Sequence, residues 1–165
     1  ELDLVIGRLP AFSSGSGIAE EMLCEDYAQI VVRSGHPLLT QSGLTLADLT
    51  DQPRILPRQE TSLRRQIDEG FRQQGLRAPA NIVESVSILT NRALVLRSDY
   101  LAVWPVQLAR FEADLGLVQA LDIPLPTTHR PIGISTRRDA RLSPAAETLI
   151  TALRGAATDH GDATA

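Results

Sequence analysis

The chain has 165 residues, of which 43% are hydrophobic and 22% charged, so it can form a core and is not globally disordered. Its net charge of −4 argues against nucleic-acid binding by this stretch, because such domains usually carry a basic face. The absence of lysine excludes a P-loop and Schiff-base chemistry, and the single cysteine, Cys24, excludes an internal disulfide bond. No apolar run approaches the roughly 20 residues that span a bilayer.

Seven short runs of aliphatic residues predict β-strands, starting with a buried strand at the beginning of the chain. They cover residues 2–9, 27–33, 54–57, 81–84, 101–104, 117–123 and 132–136. The helices predicted between them cover residues 45–49, 62–74, 87–97, 105–114 and 143 onward, and residues 11–17, 35–38 and 124–128 are predicted loops or turns. This alternation predicts an α/β fold with a mainly parallel sheet.

The helix predicted at residues 62–74 has the clearest periodicity. Leu63, Ile67 and Phe71 recur every four residues between polar residues, which predicts an amphipathic helix. Gly75 is well placed to end that helix, because glycine readily adopts the left-handed conformation found after many helices.

Other local signals concern element ends and burial. Thr45 and Asp48 have the spacing of a capping box, which predicts a helix start. The helix predicted at residues 87–97 is apolar on several faces, so we expect it to be largely buried. Ser143 is the predicted N-cap of the last helix, and the small, polar tail from Gly155 is expected to be disordered.

No combination of residues predicts a catalytic or metal site. Cys24, His36, His129 and His160 lie in unrelated stretches, so a metal site or a Cys–His nucleophile would need distant segments to converge. Residues 15–17 (Gly-Ser-Gly) lack the spacing and the preceding strand of a nucleophile elbow, and no metalloprotease, dinucleotide or calcium-loop motif occurs. We therefore expect no metal, no cofactor and no enzymatic activity.

Two places carry residues suited to a small-molecule site. Arg8 follows the first strand, where a guanidinium can pair with a ligand carboxylate; its alternative role is an ordinary surface or ion-pair arginine. Residues 59–62 (Gln-Glu-Thr-Ser) stand between a strand and a helix, where backbone N–H groups attract anions, although Thr61 can also serve only as an N-cap. Ser85, after the next strand, is a weaker case of the same geometry.

Several segments resemble, in order and spacing, the effector-binding domains of LysR-type transcriptional regulators. They are LDLVIGRL at 2–9, VVRSGHPL at 31–38, LTLADL at 44–49, RILP at 54–57, VES at 83–85, LAVWP at 101–105 and RPIGI at 130–134. Together they extend the resemblance over residues 1–154. The Gly-Arg-Leu, Leu-Pro and Val-Glu-Ser segments are most similar to the branch with regulators of sugar and aromatic-acid catabolism, the GbpR- and PcaQ-like proteins.

The resemblance implies two Rossmann-like subdomains of the type II periplasmic-binding-protein kind, with a small effector in the cleft between them. Subdomain I would be incomplete, because family members carry a further stretch of it, and a winged helix-turn-helix, before the Gly-Arg-Leu strand. Its remnant would be residues 1–26 and 126–155, subdomain II residues 27–125, and the disordered tail residues 156–165. By position, the effector-binding residues would be Gly7, Arg8, Pro57, Arg58, Gln59, Thr61, Ser62 and Ser85.

The function that the resemblance implies is effector sensing in a cytoplasmic transcriptional regulator. Its expected partners are an organic-acid or sugar-like effector, further copies of the protein, promoter DNA through the helix-turn-helix absent from this stretch, and RNA polymerase. A solute-binding protein of a transport system remains the alternative, because it shares the architecture, but it needs a secretion signal. The sequence before Glu1 discriminates between these two classes.

Overall fold

The computed structural model describes residues 2–10, 17–139 and 141–161, and the chain divides into two compact units. The central unit is Tyr27–His129, and the terminal unit combines Glu1–Asp26 with Arg130–Ala165. The strands are β1 (Leu4–Arg8), β2 (Ile18–Cys24), β3 (Ala28–Arg33), β4 (Arg54–Leu56), β5 (Ile82–Glu84), β6 (Leu101–Pro105), β7 (Val118–Ala120) and β8 (Ile132–Arg137). The helices are α1 (Ser62–Gln73), α2 (Ile88–Arg97), α3 (Val106–Asp114) and α4 (Pro144–Gly161), with short 3₁₀ helices at Pro37–Thr40, Ala47–Leu49 and Pro126–Thr128.

The central unit contains a five-stranded sheet in the order β5-β4-β6-β3-β7. β4 pairs in parallel with β5 and β6, whereas β3 pairs antiparallel with β6 and β7. The prediction of a mainly parallel sheet is therefore wrong. Parallel pairing needs a crossover connection between the strands. The strands that pair in parallel, β4, β5 and β6, are joined by the crossover helices α1 and α2.

Helices cover both faces of this central sheet. Leu56 of β4 packs with Ile67 and Phe71 of α1 on one face. On the other face, Ile55 packs with side chains from α2 and α3, such as Val95. Successive side chains of a strand point to opposite faces, so β4 contributes to both layers of the core. The connection after β4 thus leads to one face, and those after β5 and β6 lead to the other.

The terminal unit contains a three-stranded antiparallel sheet in the order β1-β8-β2. The sequence did not predict β2, because its adjacent Glu20 and Glu21 interrupt the aliphatic pattern. α4 packs on one face of this sheet, where Ile134 of β8 and Ile150 of α4 are buried. In the central strand, Gly133 lies opposite both neighbouring strands.

Two predictions of burial are wrong. β1 is an edge strand, and its Val5 is 52% exposed, because the face on which it lies carries no helix among the described residues. In α2 only Val95 is buried, whereas Ile88 and Leu89 are 60% and 80% exposed. An apolar composition does not bury a whole helix, and in α2 only Leu94, Val95 and Leu96 pack in the core on one face of the central sheet.

The chain end also differs from expectation. α4 continues to Gly161, so residues 155–161 are helical and not a disordered tail. Ala156 and Ala157 are strong helix formers, which the composition of the tail as a whole concealed. Residues 162–165 and the predicted loop at residues 11–16 lie outside the described part of the chain.

Candidate functional site

The loops after β4 and β5 begin side by side at the carboxyl edge of the central sheet. In the parallel pair, Leu56 is opposite Glu84, and the Ser85 amide donates to the Leu56 carbonyl at 3.0 Å. The first loop then leads to α1 and the second to α2, on opposite faces of the sheet. Ligands of α/β proteins bind where neighbouring strand connections diverge in this way, so this edge is the candidate site.

Thr61 is the N-cap of α1, as the sequence predicts. Its hydroxyl accepts from the Arg64 amide at 3.3 Å and donates to the Arg58 carbonyl at 2.8 Å. The hydroxyl is therefore occupied by the helix start, and the loop offers a ligand its exposed residues Arg58 and Gln59 together with the first N–H groups of α1.

The loop after β5 has a similar start. Ser87 is the N-cap of α2 and accepts from the Thr90 amide at 3.3 Å, while the hydroxyl of half-buried Ser85 accepts from the Ser87 amide at 3.3 Å. Large apolar side chains stand beside these hydroxyls, with Val86 65% exposed and Leu89 80% exposed. The sequence did not predict this apolar surface, because Leu89 falls in the helix at residues 87–97 that is expected to be buried, and Val86 lies outside any predicted element.

Arg64 is the charged residue of this region that sequence reasoning missed. Its side chain is only 4% exposed, although the amphipathic pattern placed it on the polar side of α1. The guanidinium contacts Asp68, Glu84 and the Pro57 carbonyl. The four-residue spacing of Arg64 and Asp68 is the signal that could have pointed to this ion pair.

Arg8 lies in the terminal unit, at the end of β1. Its Nε and Nη2 atoms donate to one carboxylate oxygen of Asp26 at 2.9 and 2.5 Å, and the side chains of Arg8 and Asp26 are 29% and 4% exposed. Arg8 thus forms an ion pair in the structure, which is the alternative role that the sequence left open. Gly7 has open space where a Cβ would stand, so no close contact requires glycine there.

The remaining chemically active side chains have structural roles. Burial, together with the neighbouring carboxylates of Asp26 and Glu25, raises the pKa of the Cys24 thiol, so Cys24 stays protonated at neutral pH. His36 Nδ1 accepts from the Leu38 amide at 3.1 Å, and the His129 ring stacks on Tyr27 with centroids 4.8 Å apart.

Among the side chains that the structure describes, which do not include that of His160, no group of three or more potential ligands could hold a metal ion. No helix among the described residues has the length and hydropathy needed to cross a membrane.

The structure brings most of the predicted site residues to one edge of the central unit, and the other two belong to the terminal unit. Those at the edge are Pro57, Arg58, Gln59, Thr61, Ser62 and Ser85, while Gly7 and Arg8 belong to the terminal unit.

Comparison with known proteins identifies the family. The sequence profile of the LysR substrate binding domain matches residues 1–158, and the chain belongs to this family. It is 34% identical to the transcriptional regulator GalR of Pseudomonas putida over 97% of this chain and 40% of GalR. It is 33% identical to GbpR of Azospirillum brasilense and 32% identical to PcaQ of Agrobacterium fabrum, covering 94% and 95% of this chain and 46% and 50% of those proteins. The expected branch is confirmed, and the chain spans about half the length of these relatives or less.

Solved structures confirm the fold class. The regulatory domain of CcmR from Synechocystis PCC6803, solved with 2-PG, matches with a TM-score of 0.75 at 17% identity, covering 94% of this chain and 73% of that domain. The effector binding domain of BenM with benzoate matches with a TM-score of 0.69 at 22% identity, over 97% of this chain and 71% of that domain. The effector binding domain of QuiR with shikimate gives 0.65 at 22% identity, over 96% and 73%. The chain has the two-subdomain α/β fold of LysR effector-binding domains.

Proposed function

We propose that this chain is the effector-sensing part of a LysR-type transcriptional regulator and binds a small metabolite through the carboxyl edge of β4 and β5. The observation that carries the proposal is the convergence of Arg58, Gln59, Ser85 and the start of α1 at one edge of a family domain. An effector shifts a regulator between conformations only if it binds one conformation better than another. The two loops that diverge from this shared edge are the segments whose arrangement, and therefore whose affinity for the effector, can differ between conformations.

The proposed effector is a small organic acid or a polyol. The neighbouring structures were solved with 2-PG, benzoate and shikimate, which are small and mostly acidic. In this chain, the N–H groups at the start of α1 favour an anion, and the Ser85 hydroxyl can exchange hydrogen bonds with hydroxyl groups.

We propose that Arg8 also contacts the effector, which then competes with Asp26 for the Arg8 guanidinium. An acidic ligand that uses Arg8 has to share or replace the pair with the buried Asp26 carboxylate. The alternative is that Arg8 only stabilises the terminal unit by pairing with Asp26. Substitution separates the two roles, because the first affects ligand affinity and the second affects stability alone.

The further partners remain proposals for the full-length protein. They are promoter DNA bound through a helix-turn-helix outside this chain, further copies of the protein and RNA polymerase, in the cytoplasm and without an enzymatic activity. The alternative function, solute binding for transport, shares the fold, but the relatives GalR, GbpR and PcaQ are named as transcriptional regulators, which favours sensing.

The test is a melting-temperature screen of the full-length protein with 2-PG, shikimate, benzoate and simple polyols, followed by calorimetric titration of each compound that raises the melting temperature. Arg8→Ala should weaken the binding of an acidic ligand about tenfold or more, as expected when a charge-assisted hydrogen bond is lost. Thr61→Ala should weaken it less, because the backbone N–H groups remain.

Two variants serve as controls. Arg154→Ala removes another ion-paired arginine of the terminal unit, and Thr40→Ala removes another hydroxyl of the central unit. Both should leave the affinity unchanged. An unchanged affinity in Arg8→Ala, with a lower melting temperature, would assign Arg8 to the Asp26 pair alone.

A further inference from the structure

The Arg64 guanidinium joins the two loops of the candidate site. Its Nε donates to both carboxylate oxygens of Asp68 at 3.0 and 3.1 Å, within α1. Its Nη1 donates to the Pro57 carbonyl at 3.2 Å and to Glu84 Oε1 at 3.3 Å. Pro57 begins the loop after β4, and Glu84 ends β5, so one buried side chain fixes the start of one loop to the end of the neighbouring strand.

This position extends the pairing of the two strands beyond their backbone hydrogen bonds. The last backbone bond between them runs from Ser85 to Leu56, and beyond it the chains turn to opposite faces of the sheet. A guanidinium that is 4% exposed would be costly without partners, and here its donors are distributed over a carbonyl and two carboxylates. Arg64 therefore holds the diverging loops in one arrangement.

Glu84 is the exposed end of this network. Its side chain is 47% exposed, and only Oε1 is bonded to Arg64, so Oε2 has no hydrogen-bond partner among the described residues. The carboxylate is held by a buried residue yet offers a free acceptor oxygen at the edge where the loops diverge. Because Arg64 shares its single positive charge between Asp68 and Glu84, the Glu84 carboxylate keeps part of its negative charge and accepts hydrogen bonds strongly.

We propose that Glu84 is a specificity-determining residue of the effector site, where it accepts a hydrogen bond from a ligand hydroxyl, and that Arg64 is the residue that positions it. This inference rests on the proposed function and narrows its effector class to hydroxylated compounds. A second carboxylate of the ligand is disfavoured at this point, because it would face the Glu84 oxygen. Ser85, the next residue, adds a hydroxyl that can bond to the same ligand group or a neighbouring one.

The experiment compares matched ligands on the full-length protein. Shikimate and benzoate both carry a carboxylate on a six-membered ring, but only shikimate bears hydroxyl groups; gluconate and hexanoate form a second pair of this kind. Calorimetric titration should show the hydroxylated member of a pair binding about tenfold tighter or more. Glu84→Gln should reduce that preference about fivefold to tenfold, because a charged acceptor becomes neutral, and should leave the binding of benzoate or hexanoate unchanged.

Two further variants test the positioning role of Arg64. Arg64→Ala should reduce the same preference as much as Glu84→Gln does, and the double variant should add little, because both changes affect one interaction. Arg92→Ala is the matched control, since it removes another ion-paired arginine of the central unit; it should lower the melting temperature and leave the ligand preference unchanged. A preference that falls equally in Arg92→Ala would show a merely structural role for Arg64.

The remaining outcomes separate this inference from the proposed function. Binding of any ligand with a preference that Glu84→Gln does not change overturns the role of Glu84 and leaves effector sensing intact. Tighter binding of benzoate or hexanoate than of their hydroxylated partners does the same. Absence of binding by all four compounds contradicts both the proposed sensing of small organic acids and the inference built on it.

Discussion

The two units differ in how the faces of their sheets are covered by helices. The central sheet has helices on both faces, and fully buried side chains such as Val31 and Leu56 stand on opposite sides of it. In the part of the chain that the structure describes, the terminal sheet has α4 on one face only, and Val5 and Met22 are 52% and 56% exposed. A sheet stabilised mainly from one side depends more on its strand pairing and on individual close contacts. We therefore expect the two units to respond differently to the same kind of substitution.

The largest effect is expected in the core of the central unit. Ile67→Ala removes a side chain that is 1% exposed and should lower the free energy of unfolding by about 2–5 kcal/mol, because it leaves a cavity beneath α1. Denaturant unfolding can be followed by the fluorescence of Trp104, the only tryptophan of the chain, which is buried in this unit. Leu89→Ala, at an 80% exposed position, is the control and should change stability by about 0.5 kcal/mol or less. Equal losses in both variants would contradict the exposed position of α2.

The next effect is expected in the central strand of the terminal sheet. A Cβ on Gly133 would overlap the Glu21 carbonyl and stand 2.7 Å from a Leu9 methyl carbon. Gly133→Ala should thus destabilise the terminal unit by about 1–3 kcal/mol, with increased hydrogen exchange in β8. Gly7→Ala is the matched control, because Gly7 pairs with Gly133 in the sheet but has open space around it. Full protection of β8 in Gly133→Ala would mean that the strands are not packed this closely.

A smaller, stabilising effect is expected near the end of α4. Gly155 is exposed, inside the helix, and has no atom within 4 Å of the place where a Cβ would stand. Gly155→Ala should therefore raise stability by about 0.5–1 kcal/mol, because alanine loses less backbone entropy in a helix. Thermal unfolding followed by circular dichroism measures this change. No gain would indicate that residues 155–161 are not helical in solution, as the composition of the tail first suggested.

The smallest expected effect is a pH-dependent contribution to stability from the ion pair between α4 and β2. Hydrogen bonds from Arg154 hold the pKa of Glu21 below its ordinary value of 4.5. A carboxylate with a lowered pKa stabilises the folded state above its unfolded pKa, and this contribution disappears as the pH falls through the folded value. Glu21→Gln should thus lower the melting temperature by about 1–2 °C at pH 7, a small change because the pair is exposed. The difference from the wild type should vanish well below pH 4; a constant difference would exclude the ion pair as its cause.

The family and the local structure could be read from the sequence because their signals are local. The spacing of Leu63, Ile67 and Phe71 gives the buried face of α1, and Thr61 caps that helix as predicted. Gly75 has a φ of +69°, which explains why a glycine ends the helix. The ordered segments from Gly-Arg-Leu to Pro-Ile-Gly led to the LysR family, which the profile match confirms. Such features depend on residues a few positions apart, so neighbouring residues suffice to reveal them.

Only the tertiary structure determined which charged groups pair with each other and which apolar faces are buried. Arg8 pairs with Asp26 across 18 positions, and Arg64 reaches Glu84 across 20, so neither partner could be chosen from sequence spacing. The direction of each strand and the exposure of α2 likewise depend on which elements pack together. Solvation and pairing energies are set by the three-dimensional neighbours of a group, and a sequence pattern records only the neighbours along the chain. For this protein the sequence determined the family, the helix faces and the turns, and the tertiary structure decided which charged groups are buried, paired or left free to meet a ligand.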